Sequence, residues 1–348
     1  MTFTHAADLD VDRFADIGGE AVAVAHPNIA LVKYWGKRDE SMFLPVTGSL
    51  SMTLDIYPTT TTVRLIDEPA DVVVLNGAAA VGEARARVER FLDLVRARAG
   101  RTEKALVVSA NTGPTGAGLA SSASGFAALA TAAAAAYALE DDARALSRLA
   151  RRGSGSASRS IFGGFVVWHE GRGLGEEGDL SSYAQPIGGE ELDPALVVAV
   201  VDHQEKAVSS REAMRRTCAT SPFYQPWAAA SRVDLDEMRA AIARRDLAAV
   251  GEIAERNALG MHASMLLARP SVRYLSPQSV AVLDAVLALR ADGVLAYATI
   301  DAGPNVTVLC ARAEAERVAA ALRAVGTFVD TRTAHLGPGA SLVPGGER

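Results

Sequence analysis

Apolar positions recur along this chain at two periods. Residues 21–35, AVAVAHPNIALVKYW, alternate into an apolar run, which predicts strand interrupted by a turn at His26-Pro27-Asn28. Residues 50–56, 61–66 and 72–75 are further β-rich runs, and Asn76-Gly77 marks a turn after the last. Ala84, Val88, Phe91, Leu92 and Val95 then fall at helical spacing, with Arg85, Arg87, Arg90 and Arg96 among the intervening positions. Residues 106–108 read as a buried strand that feeds a glycine-bearing loop and an alanine-rich helix. Strand-loop patterns recur at 161–169 and 196–201. Residues 208–292 are mostly helical, with amphipathic stretches at 235–242, 247–267 and 280–289. Residues 295–311 predict two strands around Ala302-Gly303-Pro304-Asn305, and a helix (313–325) and a strand (327–333) follow. This strand-turn-strand-helix-strand order predicts an α+β layer at the C-terminal end.

At 348 residues the chain is long enough for two domains. The expected division is a flexible N-terminal tail (1–20), a first domain (21–190), a second (191–336) and a flexible tail (337–348), with no internal repeat and no long linker. Hydrophobic residues at 49% and charged residues at 22% exclude disordered and collagen-like classes. A net charge of −6 gives no global field toward nucleic acid or anionic membrane, so bound phosphate must meet a local site. Cys218 and Cys310 cannot build a disulfide framework and read as two thiols in a reducing compartment. The start carries Asp8, Asp10 and Asp12 where a secretory signal needs an apolar core. The most hydrophobic stretch, 126–139, is shorter than the roughly 20 residues that span a bilayer. A soluble cytoplasmic protein, with no nucleic-acid or membrane partner, is expected.

Four segments carry candidate chemistry. Residues 114–124, PTGAGLASSAS, lie between a strand and a strong helix former, where glycines and fresh helix N–H groups could hold phosphate. The segment lacks the lysine of a P-loop, and a glycine turn with serine caps is its plainer reading. Residues 153–160, GSGSASRS, pair small residues with one arginine able to grip an anion in fork geometry; a linker is the alternative. Lys33 and Lys37 bracket Tyr34-Trp35-Gly36, either as surface lysines or as a shaped wall with cations aimed inward. Asp301, at a strand end, could serve as a general base or simply start a turn. His26, His203 and His262 show no metal spacing and read as structural or peripheral. No protein metal site is expected, and magnesium would arrive with a nucleotide.

In order, AHPNIALVKYWGKRD (25–39), PTGAGLASSASGFAAL (114–129), GSGSASRSIFGGF (153–165), VSSREAM (208–214) and IDAGPNV (300–306) resemble the diphosphomevalonate decarboxylase family of the GHMP kinase superfamily. The resemblance covers roughly residues 21–335, and its first and third segments are specific to the decarboxylase branch. It implies an α+β, GHMP kinase-like fold: an N-terminal α/β domain of the ribosomal protein S5 domain 2 type with a left-handed β-α-β unit, and a C-terminal ferredoxin-like domain. The active site would lie in the cleft between them. It also implies ATP, magnesium and (R)-5-diphosphomevalonate as ligands, isopentenyl diphosphate as product, the mevalonate route to isoprenoids, and a homodimer.

By matching positions, the resemblance places Asp301, Lys33 and Arg159 in catalysis, with Arg159 on the substrate carboxylate. Substrate would be held by Tyr34, Trp35, Gly36, Lys37, Arg87, Ser154, Gly155, Ser156, Ala157, Ser158, Ser209, Ser210 and Arg211, with Arg85 as the alternative to Arg87. ATP would be held by Pro114, Gly116, Gly118, Leu119, Ala120, Ser121 and Ser122. The chain departs from the family pattern at 109–113, SANTG, and at Ser158, where some relatives have cysteine. The rival activities are a kinase that stops at phosphorylation, a decarboxylase of the monophosphate, and a silent ligand sensor; the presence of both Asp301 and Lys33 speaks against the last.

Overall fold

A computed structural model of the chain describes residues 11–113, 121–201, 208–327 and 329–344. The alternating N-terminal segment forms β1 (Glu20–Ala25) and β2 (Asn28–Val32), and the break at Pro27 sends the two strands into different sheets. A hairpin of β3 (Lys37–Asp39) and β4 (Leu44–Pro45) precedes β5 (Ser49–Thr53) and β6 (Thr59–Ile66). β7 (Val72–Leu75) turns into β8 (Ala78–Ala79) through Asn76 and Gly77, both at positive φ, as an Asn-Gly pair favours. The first half continues with α1 (Gly82–Ala99), β9 (Lys104–Asn111), α2 (Ser121–Ala136), α3 (Ala143–Gly153) and α4 (Ala157–Ser160). It closes with β10 (Phe165–Trp168), α5 (Gly175–Ser181) and β11 (Ala184–Pro186). The second half opens with β12 (Pro194–Val200) and runs through α6 (Ser210–Thr220), α7 (Tyr224–Ala243), α8 (Leu247–Leu266) and α9 (Pro277–Ala291). It ends with β13 (Ala296–Ile300), β14 (Val306–Ala311), α10 (Ala315–Arg323), β15 (Asp330–Ala334) and β16 (Ser341–Leu342).

The first sheet is ordered β16-β1-β6-β9-β7-β8, with β7 and β9 parallel and α1 between them in sequence. Alanines fill most of the buried positions of α2, and their small size lets the helix lie close on β1 and β6. Phe91, Leu92 and Val95 of α1 and Phe126 of α2 fill the space beneath. Arg96, at an intervening position of the α1 pattern, is nonetheless buried. Its guanidinium forks onto both carboxylate oxygens of Asp71 at 2.9 Å, which satisfies the charge inside.

The C-terminal sheet is ordered β13-β14-β12-β15 and is antiparallel throughout. With helices between β12 and β13 and α10 between β14 and β15, this is the ferredoxin-like arrangement expected above. A third sheet, β11-β10-β5-β2, lies between the halves. Ile29, Leu31, Leu50 and Met52 from this sheet share one core with Met238 and Ile242 of α7, Val250 and Ile253 of α8, and Leu196 and Leu309 of the C-terminal sheet. The halves therefore meet across buried hydrocarbon, which fixes the ends of β2 and β13 relative to each other.

Of the two expected tails, residues 1–10 and 345–348 lie outside the described residues, and the described parts differ from expectation. Phe14 is buried against Ile66 and Leu106, and Ile17 donates to the Leu65 carbonyl, so residues 14–19 run along the first sheet rather than trailing from it. The segment 337–343, expected to fray, returns to the first half. Gly337 donates to Thr53 and accepts from Gly164, Ala340 donates to Ile161, and β16 pairs with β1. The backbones approach so closely that a Cβ on Gly337 would overlap the Leu54 carbonyl. Gly337→Ala should therefore lower stability by roughly 1–3 kcal/mol, the usual cost of overpacking. Denaturant unfolding reads this directly, and an unchanged midpoint would contradict the docking.

Candidate active site

Lys33 follows the last residue of β2, and Asp301 follows the last residue of β13. The shared core brings these strand ends together, and Lys33 Nζ lies 2.6 Å from Asp301 Oδ1. The ammonium is buried; it also donates to the Ala30 carbonyl at 2.8 Å. Burial lowers the Lys33 pKa and the Asp301 carboxylate opposes that shift. Asp301 remains 31% exposed, enough for a ligand to reach it. The pair thus joins a shielded cation to an accessible carboxylate.

Arg159 sits beside this pair on the single turn of α4. Its Nε donates to Ser51 Oγ at 2.9 Å and to Asn28 Oδ1, Nη1 to Ser49 Oγ at 2.6 Å, and Nη2 to Asn28 Oδ1 at 3.0 Å. These contacts leave one hydrogen on each Nη without a partner among the described residues. Burial lowers the Arg159 pKa to about 10, so the group remains a cation at neutral pH. Asn28 is itself held by its amide donating to Ser160 Oγ at 2.7 Å and to the Ser156 carbonyl.

The segment leading to Arg159 forms a wall. Gly155 packs against the Tyr34 and Trp168 rings, whose centroids are 4.7 Å apart, and a Cβ there would strike both. Ala157 is buried, Ser156 turns its carbonyl to Asn28, and Ser158 spends its hydroxyl on the Gly155 carbonyl. Tyr34 Oη and Trp35 Nε1 are buried without partners among the described residues. Gly36 adopts φ 112° under the Tyr224 hydroxyl, which donates to the Trp35 carbonyl. Lys37 extends along the Phe43 ring and pairs with Glu40 at 2.6 Å.

At the other end of the wall, Ser154 Oγ lies 3.4 Å from Ser122 Oγ, and Ser121 and Ser122 open α2 with exposed side chains. Pro114, Gly116, Gly118, Leu119 and Ala120 lie outside the described residues. Arg87 donates to the Gly153 carbonyl at 3.2 Å, over the Phe126 ring, whereas Arg85 pairs with Glu89 and turns to Asp71. Of the two arginines, Arg87 is the one facing this wall. Arg211 is half exposed, 3.8 Å from Glu83, and Ser209 caps α6 by accepting from Glu212, next to Ser210. The serine hydroxyls and the N–H groups that open a 16-residue helix suit a polyphosphate. Among the described residues no three His, Cys, Asp or Glu side chains group to hold a metal.

Comparison with known proteins places this geometry. Residues 25–184 match the diphosphomevalonate decarboxylase-like N-terminal domain, and residues 196–337 match the mevalonate 5-diphosphate decarboxylase C-terminal domain. Diphosphomevalonate decarboxylase mvd1 of Aspergillus fumigatus is 36% identical over an alignment 327 positions long that covers 88% of this chain and 80% of that protein. The chain belongs to the diphosphomevalonate decarboxylase family. The mevalonate diphosphate decarboxylase of Staphylococcus aureus superposes with a TM-score of 0.88 at 39% identity, covering 93% of this chain and 98% of that one. MDDEF in complex with MVAPP, AMPPCP and magnesium also gives 0.88, at 43% identity over 93% of this chain and 99% of that one.

Within this decarboxylase fold several polar residues that sequence reasoning passed over surround the pair. Ser49, Ser51 and Asn28 hold Arg159; only the Ser-x-Ser alternation of β5 could have hinted at it. Asn257 accepts from the Lys33 N–H at 2.8 Å. His262, read above as structural or peripheral, places Nε2 3.2 Å from the Asp301 carbonyl. Burial, with the Lys33 ammonium nearby, lowers its pKa to about 4. An unfolded histidine titrates near 6.5, so between the two values the unfolded chain binds the extra proton. The stability present above pH 6.5 is therefore lost as pH falls through this window. Between pH 7 and 4.5 the wild type should lose about 2 kcal/mol more than His262→Gln, from roughly 1.4 kcal/mol per unit. Unfolding at both pH values measures the difference; parallel losses would contradict it.

Proposed function

We propose that this chain decarboxylates (R)-5-diphosphomevalonate with ATP, giving isopentenyl diphosphate, CO2, phosphate and ADP. The observation that carries the reading is the Lys33–Asp301 pair at 2.6 Å, with the Arg159 guanidinium beside it. Hydroxide is a poor leaving group, so a 3-hydroxy acid needs its hydroxyl converted before it loses CO2. Asp301 accepts the 3-hydroxyl proton as that oxygen bonds to the γ-phosphorus of ATP and ADP leaves. Lys33 holds the carboxylate in place and offsets its charge. The C3–O bond then breaks with its electron pair on phosphate, and the C–C bond to the carboxylate supplies the electrons of the new double bond.

Arg159 orients the substrate carboxylate through its two unused hydrogens. Its other hydrogens are already spent on Ser49, Ser51 and Asn28, which limits how tightly it grips the ground-state charge. Tyr34, Trp35, Gly36, Lys37, Arg87 and the segment from Ser154 to Ser158, with Ser209, Ser210 and Arg211, form the diphosphate side. Ser121 and Ser122 hold the nucleotide, and magnesium with it offsets phosphate charge. The cytoplasmic location and the homodimer belong to the same proposal and rest on the family resemblance; among the described residues no helix is long and apolar enough to cross a membrane.

Mevalonate, its 5-phosphate and its 5-diphosphate, offered in parallel with ATP, test the reading through CO2 and ADP release. The 5-diphosphate should be preferred by about two to four decades in kcat/KM, because a monophosphate leaves cationic partners unmatched. Arg211→Ala should narrow the gap by harming the diphosphate alone. Equal use of both phosphorylated substrates would contradict the assignment, and ADP without CO2 would make the chain a kinase. Asp301→Asn should bind both ligands yet turn over roughly 10²–10⁴-fold more slowly. Activity within a few-fold of wild type would remove Asp301 from the mechanism.

A further inference from the structure

The strands that end at Lys33 and Asp301 belong to different sheets, so no ladder sets their separation. Thr299 reaches across to the Ala30 carbonyl at 3.2 Å. Helix α8 does more, because it touches the backbone of both reacting residues. Asn257 Oδ1 accepts from the Lys33 N–H, while its Nδ2 donates to Asp234 Oδ2 at 2.8 Å and to Ser231 Oγ at 3.1 Å. The Asn257 carbonyl in turn accepts from Trp227 Nε1 at 3.1 Å. Both amide hydrogens thus have acceptors on α7, and the amide cannot rotate without losing them.

Five residues on, His262 Nε2 faces the Asp301 carbonyl. A carbonyl oxygen only accepts, so Nε2 carries the hydrogen. The ring is buried and uncharged at neutral pH, for the reason given above. Neither contact uses the Lys33 ammonium or the Asp301 carboxylate. Both are free to act while their main chains are held.

Resting on the decarboxylase reading, we propose that His262 and Asn257 are positioning residues, which fix from one helix the placement of the Asp301 carboxylate and the Lys33 ammonium against the substrate hydroxyl. Catalysis is sensitive to such placement, since displacement of about 1 Å costs on the order of 10²-fold.

His262→Leu keeps much of the volume and removes the donor, whereas His262→Gln retains an N–H that can reach the carbonyl. In full-length enzyme shown to be folded by thermal melting, His262→Leu should lower kcat about 10- to 100-fold, with KM for ATP and for diphosphomevalonate within about 3-fold of wild type. His262→Gln should regain most of the loss, and Asn257→Ala should show the same split between kcat and KM. Unchanged kcat in folded His262→Leu would overturn the proposal. So would equal losses in the Leu and Gln variants accompanied by rising KM, the pattern of general structural damage. Wild-type CO2 release in the same assay keeps these outcomes distinct from a failure of the decarboxylase reading.

Discussion

A lysine ammonium removed from water must find a compensating charge, and Lys33 finds its carboxylate 268 positions away along the chain. Much of the architecture serves that encounter. β2 must be buried on the sheet between the halves, β13 must end at the same depth in the C-terminal sheet, and α7 and α8 must fill the space behind both. The mixed core of Leu31, Met52, Met238, Ile253 and Leu309 is what holds the two strand ends at ion-pair distance. A loose, hydrated interface between domains would let Lys33 take water instead.

The same logic governs Arg159, whose burial is compensated differently. Among the described residues no carboxylate lies within bonding distance of it, and neutral oxygens of Asn28, Ser49 and Ser51 take three sides of the guanidinium. A cation held by neutral oxygens retains attraction for an anion, which suits the carboxylate proposed to bind there. On the side proposed for the diphosphate, Lys37 rests on Glu40, an exposed acid a phosphate could displace, and Tyr34 and Trp35 bury polar atoms without partners among the described residues.

Strand alternation, the Asn-Gly turn and the helical spacing of Val88, Phe91, Leu92 and Val95 were legible in the sequence because each is a local pattern. Lys33, Arg159 and Asp301 stood out because each lies in a segment that, taken in order with the others, resembles one family. The residues that orient them did not, because their partners are far away. A lone His262 in an amphipathic helix looks like any buried histidine until the Asp301 carbonyl is placed against it. Arg96 falls among the polar positions of α1, and Asp71, on the loop before β7, together with Asp93, makes its burial tolerable. The glycines at 337 and 339 look like a frayed end, yet their lack of side chains is what lets residues 337–343 return to β1 and to the loop before β10.

The central claim is that Lys33 is charged in the folded protein and that Asp301 compensates it. Removing one partner of a buried pair typically costs about 3–5 kcal/mol, because the other charge is left stranded. The asymmetry of exposure makes the direction specific: loss of Asp301 strands a buried ammonium, whereas loss of Lys33 leaves a carboxylate that still meets water. The measurement is a thermal-melting cycle of wild type, Lys33→Met, Asp301→Asn and the double variant. The account predicts that Asp301→Asn melts below Lys33→Met, and that adding Lys33→Met to Asp301→Asn raises the melting temperature. A double variant less stable than either single one, with losses that simply add, would contradict it.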